Sequence, residues 1–174
     1  MILGQTGSAQ NIKDESGSNY LCLPTTPQYD INNTPNTGTT STNDNSYIYG
    51  VQFQISQSNL FNAQPGSQYD VYCSVCKMHG KSSVVMVPAR ITCPTVDGRA
   101  WKLLYRGFLM SQKQILKRTE YICVDQKPDL QKSEFSREIG YLSFVETRCA
   151  SNDLPCREKK YFENLELSCV VCAL

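Results

Sequence analysis

The chain has 174 residues, of which 40% are hydrophobic, and a formal net charge of +1. This length supplies enough apolar surface for one real core or for two small related subdomains. The basic residues are scattered, so the charge pattern gives no footprint for nucleic acid or an anionic membrane surface. No apolar run approaches the roughly 20 residues of a membrane span. We therefore expect no nucleic-acid partner and no membrane insertion.

Cysteine content is the strongest compositional signal. With ten tyrosines and few charges, the cysteines predict a secreted, extracellular protein held by disulfides. The alternative is a cytosolic protein with several buried thiols. An odd number leaves one cysteine either free or linked to another chain. The nine are Cys22, Cys73, Cys76, Cys93, Cys123, Cys149, Cys156, Cys169 and Cys172.

The first quarter of the chain is mostly polar. Residues 1–19 are rich in Gly and Ser and are expected to be loop or edge, and residues 20–24 (YLCLP) predict a short strand ended by proline. Residues 25–46 contain no Lys or Arg and almost no large apolar group, which predicts a long exposed loop. Asn32 begins a glycosylation sequon within this loop.

Hydrophobic alternation sharpens from residue 47 onward. The run at 49–55 predicts a half-buried antiparallel strand, with its odd-numbered residues on the apolar face. A second alternating strand is predicted at 69–76, and a link at 77–83 turns the chain. A β-branched run at 84–87 follows, and Pro88 limits ladder pairing there.

The second half continues in the same style. Residues 101–110 (WKLLYRGFLM) predict a strand with a bend or bulge at Gly107. Residues 111–118 fit either two helical turns or a polar hairpin loop. Further strands are predicted at 121–125, 140–145 and 165–172.

The two halves match in order, which predicts an internal duplication. We therefore expect an all-β protein of two internally duplicated antiparallel subdomains, stapled by disulfides and forming one compact domain. The first repeat is 1–92, shortened at its N-terminus, and the second is 93–174. The matching segments are YLCLP at 20–24 with YICVD at 121–125, VQFQI at 51–55 loosely with LSFVE at 142–146, and YDVYCSVC at 69–76 with LELSCVVC at 165–172.

Two Cys-x-x-Cys pairs, at 73/76 and 169/172, raise the question of metal or redox chemistry. Zinc sites place such pairs on tight turns, but residues i and i+3 of a strand point to opposite faces. No βαβ pattern supports a thioredoxin-like pair. Structural disulfides are favoured, with each cysteine of a pair bonded to a different partner, and we expect no metal and no cofactor. The closely spaced Cys149 and Cys156 are predicted to bond to each other.

Catalysis is not expected. His79 is the only histidine, and no independent nucleophile, acid pair or phosphate loop accompanies it. His79 is interpreted either as a solvated loop residue or as a ligand contact.

Other candidate binding residues precede strands. Trp101, the only tryptophan, could stack on a sugar face or lie in the core. Arg118 and Glu120 place charges just before a strand, where they could bind a ligand's hydroxyls or form a solvated ion pair. Their counterparts in the first repeat are Ser18 and Asn19.

A family resemblance rests on a series of short motifs, in order, over residues 17–174. The chain resembles the cysteine-rich non-collagenous domain of sponge-type short-chain collagens, which also occurs in free-standing sponge lectins. It departs from that pattern by lacking a Gly-X-Y tract and by having a shortened opening in place of the family's Cys-Pro and Gly/His-rich stretch. The motifs are YLCLP, YCSVC, SSVVMVPARITCP, LLYRGFLMS, RTEYICVD, FVETRC and LSCVVCAL.

This resemblance implies an extracellular lectin that recognises galactose or N-acetylhexosamine-type sugars. Its partners would be glycans and further copies of itself, because oligomerisation gives weak single sites avidity. The resemblance also supports an alternative, a structural matrix or oligomerisation module that binds no sugar.

Overall fold

A computed structural model shows an all-β fold, which confirms the predicted class. It describes residues 2–8, 10, 17–29, 46–55, 61–64, 67–80, 83–113, 116–133, 139–149, 156 and 161–174. None of these residues is helical. Most of the predicted loop at 25–46, its sequon at Asn32 and residues 114–115 lie outside the described residues.

Within the described residues the chain forms thirteen strands. They are β1 Ile2–Ser8, β2 Leu21–Pro24, β3 Tyr49–Gln54, β4 Gln68–Asp70, β5 Tyr72–Val75, β6 Val84–Pro88, β7 Thr95–Val96, β8 Arg99–Ala100, β9 Lys102–Ser111, β10 Ile122–Asp125, β11 Gln131–Lys132, β12 Gly140–Phe144 and β13 Ser168–Ala173.

Eleven strands belong to one curled sheet, and β7 and β8 form a separate hairpin. In the first strand group, β1 pairs with β2, β3 and β5. In the second strand group, β9 pairs with β10, β12 and β13. The groups meet where β3 and β12 run parallel, whereas the other described pairs are antiparallel. Among the described strand pairs, the prediction of antiparallel pairing is therefore wrong only for β3 and β12.

The two strand groups have matching registers. Gly4 of β1 lies opposite Cys73 of β5, and Gly107 of β9 lies opposite Cys169 of β13. The disulfides of the two groups also correspond. Cys22–Cys73 joins β2 to β5, and Cys123–Cys169 joins β10 to β13. The internal duplication itself stays a prediction, but its order of elements agrees with these pairings.

Two glycines allow these disulfides to form across a strand. β2 and β5 both pair with β1, and strands two apart in a flat sheet would be roughly 10 Å apart. The Cα atoms of Cys22 and Cys73 are nevertheless only 5.6 Å apart. A Cβ on Gly4 would lie 1.7 Å from the carbonyl oxygen of Leu23, so only glycine lets β2 fold over β1.

Gly107 has the same role in the second strand group. A Cβ there would lie 1.7 Å from the carbonyl oxygen of Val124. The bulge predicted at this glycine is instead opposite Val171 and Cys172, where Tyr105 and Leu103 are paired and Leu104 is the extra residue.

Both strand groups contribute to one core. Buried Phe53 and Phe61 pack with the partly buried Phe108 and Phe144, and the ring centroids of contacting pairs are 5.1–5.8 Å apart. Each large side chain fully buried in such a core stabilises the fold by roughly 1.5–3 kcal/mol. The cluster of buried residues comprises Val51, Phe53, Ile55, Phe61, Ala63, Tyr69, Val71, Met110, Val124 and Leu142.

Two local expectations were wrong. Residues 1–19 were expected to be loop or edge, but β1 is central to its strand group because backbone pairing does not need large side chains. Strand β3 was expected to be half-buried, yet Gln52 on its polar face is also buried, and its Nε2 donates to Asp70 Oδ1 at 3.0 Å. The expected repeat boundary after residue 92 stays a prediction, and β6, which precedes it, pairs with β13.

Candidate functional site

The segments that precede β2 and β10 lie side by side. The amide of Tyr20 donates to Glu120 Oε1 at 2.7 Å, and the amide of Glu120 donates to the carbonyl of Ser18 at 3.3 Å. We call residues 18–20 and 118–121 the junction. The structure thus places the segments of Arg118, Glu120 and Asn19 next to each other.

Two serines hold the junction against the ends of the central strands. Ser8, the last residue of β1, donates its hydroxyl to the carbonyl of Asn19 at 3.1 Å. Ser111, the last residue of β9, donates to the carbonyl of Glu120 at 3.0 Å. Both serines are buried, so each of the two segments of the junction is held by a hydrogen bond from the end of a strand.

The hydroxyl of Tyr20 adds hydrogen bonds that support the junction. Its hydroxyl is 2.8 Å from Thr119 Oγ1 and donates to the carbonyl of Tyr141 at 3.1 Å. Burial raises the pKa of Tyr20 to about 12, and the Glu120 charge acts in the same direction, while the hydrogen bond from Thr119 opposes it. Tyr20 therefore stays neutral and bonded at physiological pH.

The junction also has polar and aromatic side chains that are exposed to solvent. Asn19, Arg118 and Glu120 are exposed, and Tyr121 is 60% exposed. No hydrogen bond or ion pair joins the Arg118 guanidinium to any described residue. The sequence placed Tyr121 at the start of a strand, whereas β10 begins one residue later, at Ile122. An aromatic residue directly before a strand was the signal that sequence reasoning missed.

His79 and Trp101 lie away from the junction. His79 is exposed in the turn after β5, where Gly80 has φ +66°, and this turn follows the residue paired with Ile2. Ser8 at the junction is at the other end of β1, roughly 20 Å away along the strand. Trp101 precedes β9, whose junction end is roughly 30 Å distant. The five candidates therefore do not form one site.

Trp101 is half-buried rather than part of the core cluster. Its indole Nε1 is buried without a hydrogen-bond partner among the described residues, and its amide donates to the carbonyl of Pro94 at 3.3 Å.

The cysteines form four disulfides, Cys22–Cys73, Cys93–Cys172, Cys123–Cys169 and Cys149–Cys156. The bond predicted between Cys149 and Cys156 is confirmed. The two cysteines of 169/172 bond to different partners, as predicted, and Cys76 is a free, exposed thiol. This pattern leaves no set of thiolates for a four-cysteine zinc site, and the described residues hold no metal-ligating cluster of three or more side chains.

Comparison with known proteins adds no relative. No family model matches the chain, and neither a curated protein nor a solved structure matches it. The resemblance to the sponge-type short-chain collagen domain therefore stays a prediction. Within the described part of the chain, no helix is long and apolar enough to cross a membrane.

Proposed function

We propose that the protein is an extracellular lectin without enzymatic activity, and that it binds galactose or N-acetylhexosamine-type sugars at the junction. The observation that carries this proposal is the exposed ring of Tyr121 beside the exposed side chains of Arg118 and Glu120. Asn19 adds an amide from the neighbouring segment. The supporting bonds of Ser8, Ser111 and Tyr20 hold these groups in place before a ligand arrives.

The chemistry of these groups suits a sugar. An aromatic ring can pack on the apolar C–H face of a galactose-type ring, and the hydroxyls can bond to charged groups in a forked geometry. A guanidinium supplies donors, and a carboxylate supplies acceptors. The junction is exposed rather than enclosed, so a single site would bind weakly. Homo-oligomerisation would then raise the overall affinity through multivalency.

Secretion belongs to the same proposal. Four disulfides persist in oxidising compartments and are rare in the cytosol. The bridges support an extracellular site of action, where cell-surface and matrix glycans are the available partners.

A second candidate function is a structural matrix or oligomerisation module. The specific observation in its favour is a set of exposed apolar side chains on the first strand group, among them Leu3, Leu21, Leu23, Ile48 and Tyr72. A surface of this kind usually contacts another protein.

A glycan array with the non-reduced, natively assembled protein tests the first candidate. Selective binding to terminal galactose or N-acetylhexosamine is expected. On the selected sugar, Tyr121→Ala and Arg118→Ala should each weaken binding about tenfold or more, the scale of one lost stacking or charged contact. Glu120→Gln removes the charge but keeps an amide oxygen for the Tyr20 N–H, so it tests the ligand role separately from the support.

Matched controls separate this site from the other candidates. Arg99→Ala removes an exposed arginine in β8, away from the junction, and should leave binding unchanged. His79→Ala and Trp101→Ala should also have no effect. Loss of binding in His79→Ala with retention in Tyr121→Ala would reject the junction as the site. A blank array from folded, oligomeric protein would reject the lectin and favour the structural module.

A further inference from the structure

The face of the sheet that is turned away from the core carries polar side chains beside the junction. The odd-numbered residues of β3 belong to the core, so Gln52 and Gln54 are on the opposite face. On one side of β3 this face continues over β12 and β9, and on the other side over β4 and β11. The polar side chains of this face form two rows that cross the strands, which we call the first and second polar rows.

The first polar row begins at the junction. Ser111 of β9, whose hydroxyl donates to the junction backbone, is paired with Ser143 of β12. The hydroxyl of Ser143 donates to Gln54 Oε1 at 3.4 Å, and Gln54 is paired with Gln68 of β4. Ser133, which follows β11, donates its amide to the carbonyl of Gln68 at 3.0 Å. The row thus crosses neighbouring strands from β9 to β11. Four inter-strand spacings of about 4.8 Å give it a length of roughly 19 Å.

The second polar row lies next to the first along the strands. In this row Tyr141 of β12 is paired with Gln52 of β3. Gln52 and Gln131 of β11 are both paired with Asp70 of β4. The side chain of Gln52 connects the rows, because its Nε2 donates to Asp70 Oδ1 at 3.0 Å and also to Ser133 Oγ. Gln52 is only 2% exposed, so these bonds fix the orientation of its amide.

The composition of the polar rows indicates the kind of ligand that they suit. Asp70 is the only charged residue in them, and the others are amides and hydroxyls. Amides and hydroxyls both donate and accept hydrogen bonds, whereas a lysine or arginine only donates. Gln54 and Gln68 are half-buried and Gln131 is exposed, so solvent reaches the rows. A neutral molecule with many hydroxyl or acetamido groups, spaced over several strands, matches these side chains.

We propose that the polar rows form an extended subsite for a neutral oligosaccharide whose terminal sugar is bound at the junction. This inference rests on the proposed function, which places the terminal sugar beside Tyr121. Ser111 belongs to the first polar row and also supports the junction, so the two surfaces are continuous. The first row is longer than one sugar ring, so the preferred ligand is a chain of sugars. The bonds that orient Gln52 and Gln54 reduce the ordering cost when the chain binds.

Titration calorimetry with soluble, monovalent sugars tests the subsite, because such ligands gain nothing from multivalency. One probe is the methyl glycoside of the galactose or N-acetylhexosamine that the glycan array selects. The other is an unbranched, neutral tetrasaccharide that ends in the same sugar. The tetrasaccharide is expected to bind about tenfold or more tightly than the methyl glycoside, the scale of one or two added hydrogen bonds.

Two substitutions far from Tyr121 separate the subsite from the junction. Gln54→Leu and Gln131→Leu keep a side chain of similar size and remove the amide. Each should weaken tetrasaccharide binding about threefold or more and leave the affinity for the methyl glycoside unchanged. Lys132→Ala is the matched control, since Lys132 is paired with the core residue Tyr69 and so lies on the other face of β11. It should leave both affinities unchanged.

Nuclear magnetic resonance of the unsubstituted protein gives a measurement that does not depend on the folding of a variant. The side-chain amide signals of Gln54 and Gln68 should shift with the tetrasaccharide and stay in place with the methyl glycoside. Equal affinities for the two ligands would overturn the subsite and leave the junction as the whole site. A tetrasaccharide gain that survives both leucine substitutions would also overturn it. Absence of binding by either ligand to folded protein would instead reject the proposed function, and the subsite with it.

Discussion

Strands β5 and β13 have related sequences, YCSV and SCVVCA, but different surroundings. β13 lies between two strands, and Cys169, Val170 and Cys172 are fully buried. Among the described strands β5 pairs with β1 alone, and much of its surface is exposed. The difference shows that the alternating pattern sets which strand forms, while a neighbour far away in sequence decides whether that strand becomes core.

The largest expected effect comes from removing the matched disulfides, in a Cys76→Ser background that prevents exchange. Cys22–Cys73 and Cys123–Cys169 close loops of 51 and 46 residues, so chain entropy alone predicts a similar loss of about 4 kcal/mol for each. Replacing Cys123 and Cys169 by Ala should cost roughly 1–2 kcal/mol more than replacing Cys22 and Cys73, because Cys169 is fully buried. Urea unfolding measures both, and equal losses would show that burial of the bridge adds nothing.

The next largest effects are expected from substitution of Gly4 and Gly107, which have the same role in the two strand groups. Gly107→Ala forces a Cβ against the Val124 carbonyl and should cost about 3 kcal/mol. Gly4→Ala makes the same clash with Leu23, but Leu23 is 38% exposed and can move outward, so about 1–2 kcal/mol is expected. Thermal melts of the two variants give the order. A larger loss in Gly4→Ala would contradict the view that the first strand group yields more easily.

A smaller pair of effects concerns the valines at matching positions. Val171→Ala should lose about 2 kcal/mol because it leaves a void in a covered strand. Val75→Ala should change stability by no more than about 0.5 kcal/mol, as is usual for an exposed position. Urea unfolding of the two variants measures the difference. Equal losses would show that the exposure of the position does not decide the cost.

The smallest effect is the pH dependence carried by Tyr20. Its pKa is raised from 10.0 to about 12 in the folded protein, so the neutral phenol is favoured by folding. The stability it contributes is fully present below pH 10.0 and is lost as the pH rises toward about 12. Tyr20→Phe, again with Cys76→Ser, should flatten the pH profile of the unfolding free energy in this window. An unchanged profile would place the titration elsewhere.

Much of the strand content follows from the sequence. The alternating run at β3 and the apolar, aromatic run at β9 predicted strands at these positions, and β10, β12 and β13 were predicted at nearly the right residues. β1 was missed because its Gly- and Ser-containing run looks like a loop until its partners are known. The parallel contact of β3 with β12 was also missed, because the pairing of distant strands leaves no local pattern.

Register was the limit of the duplication argument. The sequence comparison made residues 51–55 equivalent to 142–146. The backbone hydrogen bonds instead make Val51 equivalent to Val145, because each carbonyl accepts from the corresponding residue of its own half. Val71 donates to the Val51 carbonyl at 3.0 Å, and Leu167 donates to the Val145 carbonyl at 2.8 Å. Loop lengths differ between the halves, so an alignment by eye drifts where the side chains do not repeat.

The candidate site was predicted in part. Alignment of the halves put Glu120 level with Asn19, and the structure places the segments that hold them side by side. Chemistry alone suggested His79 and Trp101, as the single residues of their types, but rarity says nothing about position. The proposed role of Tyr121 rests on its exposure, which the strand pattern of residues 121–125 did not indicate.

The disulfides also determine how the molecule would come apart. Cys149–Cys156 is nested within Cys123–Cys169, which is nested within Cys93–Cys172, while Cys22–Cys73 stands alone before them. No bridge spans the interval between Cys76 and Cys93. A single peptide-bond cut after Lys77 would therefore yield two pieces with no covalent tie, joined by the shared core and the β3–β12 contact. A cut after Arg99 would leave both sides tethered. The turn that follows Lys77 is therefore a place where one cut removes every covalent link between two parts of the protein. After that cut, the two parts stay together only while the protein is folded.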